Sequence, residues 1–117
     1  MGYLTTHILD TANGCPAAGV RITIKRLDGE SAQTLKQATT NADGRCDEPL
    51  LEGADFTAGR YELAFAMGDY FASKQAMLDS PPFVEDVILR FGVAHADEHY
   101  HVPLLASPYS YSTYRGS

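Results

Sequence analysis

Val20-Arg21-Ile22-Thr23-Ile24-Lys25 decides how this chain folds. Apolar residues fill every second position, the spacing at which successive side chains of a pleated strand point to opposite faces. The same period recurs at Tyr61, Leu63 and Phe65, and again at Val87, Leu89, Phe91 and Val93. Between such runs lie Ala12-Asn13-Gly14, Leu27-Asp28-Gly29, Asn41-Ala42-Asp43-Gly44 and Glu52-Gly53, residues that accept positive φ or form Asx-turns. One segment departs from period two. Tyr70, Phe71, Met77 and Leu78 share a face at helical spacing, with Asp69 as N-cap and Ser80-Pro81-Pro82 as a stop. The pattern predicts an all-β sandwich of two sheets, with seven to eight strands and one short helix.

With 117 residues the chain is long enough for one buried core and too short for two, so a single domain over 1–117 is expected. Fifteen acidic residues against nine scattered basic ones leave a net charge of -6, which argues against a nucleic-acid partner. No apolar run reaches the length of a membrane span, and Met1 to His7 lacks the basic and apolar regions of a secretory signal. The expectation is a cytoplasmic protein in which Cys15 and Cys46 are reduced thiols.

Three places hold residues that can do chemistry. Leu4-Thr5-Thr6-His7-Ile8-Leu9, as a strand, sends Leu4, Thr6 and Ile8 to one face and Thr5, His7 and Leu9 to the other. On its own, His7 reads as a surface or partly satisfied histidine more readily than as a catalytic one. In His99-Tyr100-His101-Val102-Pro103-Leu104 the two histidines share a face, a spacing open to metal binding. A zinc site, however, takes three or four ligands in recognisable spacing, and the cysteines form no CxxC pair, so no metal site is expected. The terminal run Ser107 to Ser117 alternates small hydroxyl residues with tyrosines and reads as a strand rather than a frayed tail. Arg45, next to a turn, carries no signal by itself. There is no GxSxG elbow and no phosphate-binding glycine loop.

Three stretches together resemble one family, the transthyretin-related 5-hydroxyisourate hydrolases. They are Leu4-Thr5-Thr6-His7-Ile8-Leu9-Asp10-Thr11 with Gly14-Cys15-Pro16-Ala17, then Thr40-Asn41-Ala42-Asp43-Gly44-Arg45-Cys46, and Tyr100-His101-Val102-Pro103-Leu104-Leu105 running to Tyr114-Arg115-Gly116-Ser117. The terminal tetrapeptide is the most specific. The resemblance implies a transthyretin-like (prealbumin-like) sandwich assembled as a homotetramer, and metal-independent hydrolysis of 5-hydroxyisourate to 2-oxo-4-hydroxy-4-carboxy-5-ureidoimidazoline in urate degradation. It further implies catalysis by His7, His101 and Arg45, with the same three residues, Tyr114 and Ser117 binding substrate. Crowding two imidazoles beside a guanidinium is expected to keep the imidazoles neutral, able to take a proton from water. The alternative within the same fold is a transthyretin-like carrier of small ligands that does no chemistry. An immunoglobulin-like interaction module draws support from the sandwich alone.

Overall fold

The computed structural model describes residues 2–74 and 78–116. In chain order the strands begin with β1 (Tyr3–Thr5), β2 (Ile8–Asp10), β3 (Cys15–Pro16), β4 (Arg21–Asp28) and β5 (Ser31–Thr39). After β6 (Leu51–Glu52) and β7 (Gly59–Phe65) comes an α-helix, α1 (Met67–Lys74), then β8 (Val87–Val93), β9 (His99–His101), β10 (Leu104–Ser107) and β11 (Ser110–Thr113). Strands β5-β4-β7-β8 form one antiparallel sheet, and the opening stretch lies at its centre as β4. The other layer holds β6-β1-β9 and β11-β10-β2-β3.

Those last two groups are one ribbon. β1 and β2 run parallel to β9 and β10 at an unbroken register, Leu4 opposite Tyr100, Thr5 opposite His101 and Ile8 opposite Leu104. Across the gap, Val102 N donates to Thr5 O and Leu104 N donates to His7 O, both at 2.9 Å. Pro103, lacking an N–H, punctuates the ladder between them. Eleven strand segments therefore stand where seven to eight were expected. The excess comes from this interruption and from β3 and β6, each only two residues long.

Leu4, Thr6 and Ile8 are buried while Thr5, His7 and Leu9 stay partly exposed, the division that alternation predicts. Leu4, Ile8, Ile22, Ile24, Leu63, Phe65, Val87, Tyr100 and Leu104 belong to one apolar cluster between the layers. α1 starts at Met67, two residues before the expected cap. Asp69 sits inside its first turn and pairs with Arg21 at 2.6 Å on the surface instead of capping. The apolar stripe explains the difference, because Met67, Tyr70 and Phe71 are the buried helix positions and their i, i+3, i+4 spacing begins at Met67. Met77 lies outside the described residues, and Leu78 packs half-buried against the core. The glycines of the four predicted turns, Gly14, Gly29, Gly44 and Gly53, all have positive φ.

A buried carboxylate ties the second layer to the helix. Asp10 accepts hydrogen bonds from Ala12 N, Asn13 N, Asn13 Nδ2 and Tyr70 Oη, at 2.7 to 3.0 Å. Burial pushes its pKa upward, but the hydrogen bonds from Asn13, Tyr70 and Ala12 outweigh burial and hold it below the ordinary value. Because the folded value is depressed, this contribution to stability is fully present above the unfolded carboxyl pKa and disappears as pH falls through the folded one. Tyr70→Phe removes one of the four donors and should destabilise the fold by about 1–3 kcal/mol, read as a lower urea midpoint at unchanged slope.

Candidate active site

One loop and the ribbon build the site. The turn at Asn41–Gly44 is organised by the Asn41 side chain, whose Oδ1 accepts from Asp43 N at 2.9 Å and from Arg45 N at 3.2 Å. Gly44 O then accepts from Ile8 N at 2.9 Å, and Arg45 pairs with His7 as an isolated antiparallel bridge. Arg45, 37 residues of sequence beyond Ile8, is thereby fixed beside His7. Gly44 is needed for this: its φ is +74°, and a Cβ there would stand 2.5 Å from the Ile8 carbonyl oxygen.

On the neighbouring strand, the parallel register sets Thr5 opposite His101 and Tyr3 opposite His99. Thr5 Oγ1 lies 2.7 Å from His99 Nε2 and 2.8 Å from His101 Nδ1, bridging the two rings. Tyr3 stacks on His99 with centroids 4.1 Å apart and planes 13° from parallel. Thr5, Thr6, Arg45, His99 and His101 open onto one cleft of ≈ 470 Å³, whose other wall runs from Cys46 to Pro49. That volume falls in the range of small-molecule sites.

Sequence from residue 4 to residue 116 matches the model of the HIUase/Transthyretin family. The chain belongs to this family. It is 55% identical to the 5-hydroxyisourate hydrolase of Pseudomonas aeruginosa (strain PAO1) over 117 residues, all of this chain and 93% of that one. The crystal structure of an (S)-allantoin synthase superposes with a TM-score of 0.94 at 51% identity over 99% of this chain, which spans 44% of the length of that one. The structure of 5-hydroxyisourate hydrolase from Klebsiella pneumoniae matches over the full length of both chains, with a TM-score of 0.81 and 36% identity.

The HIUase/Transthyretin fold in this chain brings His7, Arg45 and His101 together. Tyr114 lies elsewhere. Within one chain it is 61% exposed and lines a separate groove with Ile88, Phe91 and Tyr100. Ser117 lies outside the described residues, but the tail is held as far as Gly116, whose N donates to His101 O at 2.6 Å. Among the described residues no group of three or more His, Cys, Asp and Glu side chains is placed to hold a metal ion. Thr5 and His99 are the site residues that motif reasoning passed over. Their faces were legible from alternation, but their contact depends on a parallel register between the two ends of the chain, which no local pattern encodes.

Electrostatics favour neutral imidazoles. The His7 pKa falls below the ordinary 6.5, first through burial and then through the Arg45 charge, with a hydrogen bond to the Asp43 backbone and the Asp43 carboxylate opposing. His101 is also lowered, by burial first, then by Arg45, His99 and His7. Like-charge repulsion was the expected cause; it acts, but burial leads. The Arg45 guanidinium itself makes no ion pair or hydrogen bond among the described residues. Nearby Asp47 instead accepts from Asn41 Nδ2 at 2.9 Å.

These folded values lie below the unfolded ones, so stability from the two histidines is complete above pH 6.5 and declines as pH falls through the window beneath it. In an NMR titration, the ring protons of His7 and His101 should both report midpoints below 6.5, and Arg45→Gln should raise both. Midpoints at or above 6.5 in the unsubstituted protein would overturn this account. Gly44→Ala should cost at least about 1–2 kcal/mol through the left-handed backbone alone, seen as a lower urea midpoint.

Proposed function

We propose that this chain hydrolyses 5-hydroxyisourate. The observation that carries the proposal is the Arg45 guanidinium, unpaired among the described residues, beside two imidazoles of lowered pKa: His7, its partner in the backbone bridge, and His101, which shares its cleft. A neutral imidazole, His7 or His101, takes a proton from water as the water oxygen bonds to a ring carbonyl carbon of the substrate. Arg45 stays protonated, binds the electron-rich heterocycle and stabilises the negative charge that gathers on the carbonyl oxygen. The carbon–nitrogen bond then breaks, and the imidazolium returns its proton to the departing ring nitrogen. No metal or organic cofactor enters this sequence of steps.

The same reading takes 1–117 as one domain of a cytoplasmic homotetramer, in which Tyr114 and Ser117 hold substrate at a channel between paired protomers. Association is supported by the sheet edges: β8 and β11 are edge strands, each with one side unpaired among the described residues, and Ile88 is 44% and Tyr111 50% exposed. No described helix is long and apolar enough to cross a membrane.

The test follows the absorbance of freshly generated hydroxyisourate. His101→Asn and Arg45→Gln should each slow turnover by about 100-fold or more. Removal of Tyr114 to Ser117 should also slow it, and a chelator should leave the rate unchanged. Near-wild-type rates in all three variants, with folding intact, would overturn the assignment, as would a loss of activity on chelation.

A further inference from the structure

Two basic rings compete for one hydroxyl in the cleft. Thr5 Oγ1 has a single proton and stands within hydrogen-bond reach of both His99 Nε2 and His101 Nδ1. It cannot donate to both, so at least one ring must present an N–H to it. Three arrangements satisfy the geometry: His101 donates while Thr5 donates to His99, both rings donate to Thr5, or His99 donates while Thr5 donates to His101. The first two leave His101 Nε2 with a bare lone pair. Only the third places a proton there.

The charge in the cleft selects between them. Arg45 lines the same cleft as His101, and its guanidinium is unneutralised by any described partner. His101 Nε2 has no hydrogen-bond partner among the described residues. On a ring that shares its cleft with that positive charge, a lone pair at Nε2 is favoured over a second N–H dipole.

We propose that Thr5 is a positioning residue that holds His101 as its Nδ1–H tautomer, leaving Nε2 as the atom that accepts the proton from water. His99 completes the arrangement as the other partner of the Thr5 hydroxyl, and its stacking on Tyr3 fixes the plane of its ring. Thr5 acts through His101, as the outer partner of a ligating histidine acts on the imidazole it orients. This inference rests on the hydrolase reading for its kinetic consequence, but the tautomer itself does not.

The first measurement is therefore made without substrate. Nitrogen-15 chemical shifts of the unsubstituted protein above the His101 midpoint should show Nδ1 protonated and Nε2 bare. The opposite tautomer would overturn the proposal whether or not the protein hydrolyses anything. Thr5→Val keeps the shape and removes the hydroxyl, so Nδ1–H loses its acceptor and the tautomer preference should weaken measurably, with the Arg45 charge alone left to bias it. It should also lower kcat on hydroxyisourate by about 10- to 100-fold, in line with the loss of an orienting partner, while KM changes little. Thr5→Ser restores the hydroxyl and should restore both the shifts and most of kcat. Equal kcat for Thr5→Val and the unsubstituted protein, or equal losses for Thr5→Val and Thr5→Ser, would overturn it. If the unsubstituted protein shows no turnover but has the expected shifts, the hydrolase reading fails and the tautomer assignment stands.

Discussion

Everything at the cleft hangs on the parallel pairing of β1 and β2 with β9 and β10. Thr5 and His101 are 96 residues apart in sequence, yet their side chains lie 2.8 Å from each other. Local contacts contribute nothing to this approach, so closing the chain must be compensated on the inner face of the same ribbon. Leu4, Ile8, Tyr100, Val102 and Leu104 are all buried there. With a side-chain period of two, a slip of one residue would drive His101 into the core and expose Leu104. The packing that stabilises the inner face thus sets the alignment of Thr5, His7, His99 and His101 on the outer one.

The third contributor reaches the ribbon by a different means. Arg45 is held by backbone, through Gly44 O to Ile8 N, and by the Asx-turn of Asn41. The turn also disposes of a competing charge. Asn41 Nδ2 engages Asp47, one of the two acids that stand two positions from Arg45, and among the described residues the guanidinium pairs with neither Asp43 nor Asp47. An isolated cation beside two imidazoles raises the cost of protonating them, and burial of the rings raises it further. One loop therefore supplies both an unpaired cation and part of the field that keeps the neighbouring imidazoles neutral.

Much of this was written in the alternation itself. A period of two puts Leu4, Thr6 and Ile8 on one face and His7 on the other, and the apolar face is the one that is buried. The helix start was misplaced for an equally local reason: Asp69 is a good cap by type, but the buried stripe begins at Met67, and packing of that stripe prevailed over capping preference. The roles of Thr5 and His99 were out of reach. Each sits on a correctly assigned face, yet which residue of β1 meets which of β9 depends on a register fixed only by the assembled core. Motifs single out His7, Arg45 and His101; what the structure adds is that they lie near one another and that the arginine charge lowers the pKa of both imidazoles.

The chain terminus shows how a motif acquires a physical cause. β11 folds back on β10, and Thr113 Oγ1 donates to Pro103 O at 2.7 Å, at the position where proline breaks the ribbon's own ladder. Beyond it Arg115 lies over the Tyr100 ring at 4.0 Å and pairs with Glu98. Gly116 then bridges to His101 through the backbone. A Cβ at 116 would come within 3.3 Å of His101 Cδ2 and 3.4 Å of its Cβ, so any larger residue would press on the imidazole. Glycine allows the tail to lie flat against that ring while two arginine contacts and one threonine bond keep it there. The His101 ring is consequently bounded by Thr5 on one nitrogen and by the terminal strand along its carbon edge. That confinement is what turns a solvent-side histidine into one with a defined direction.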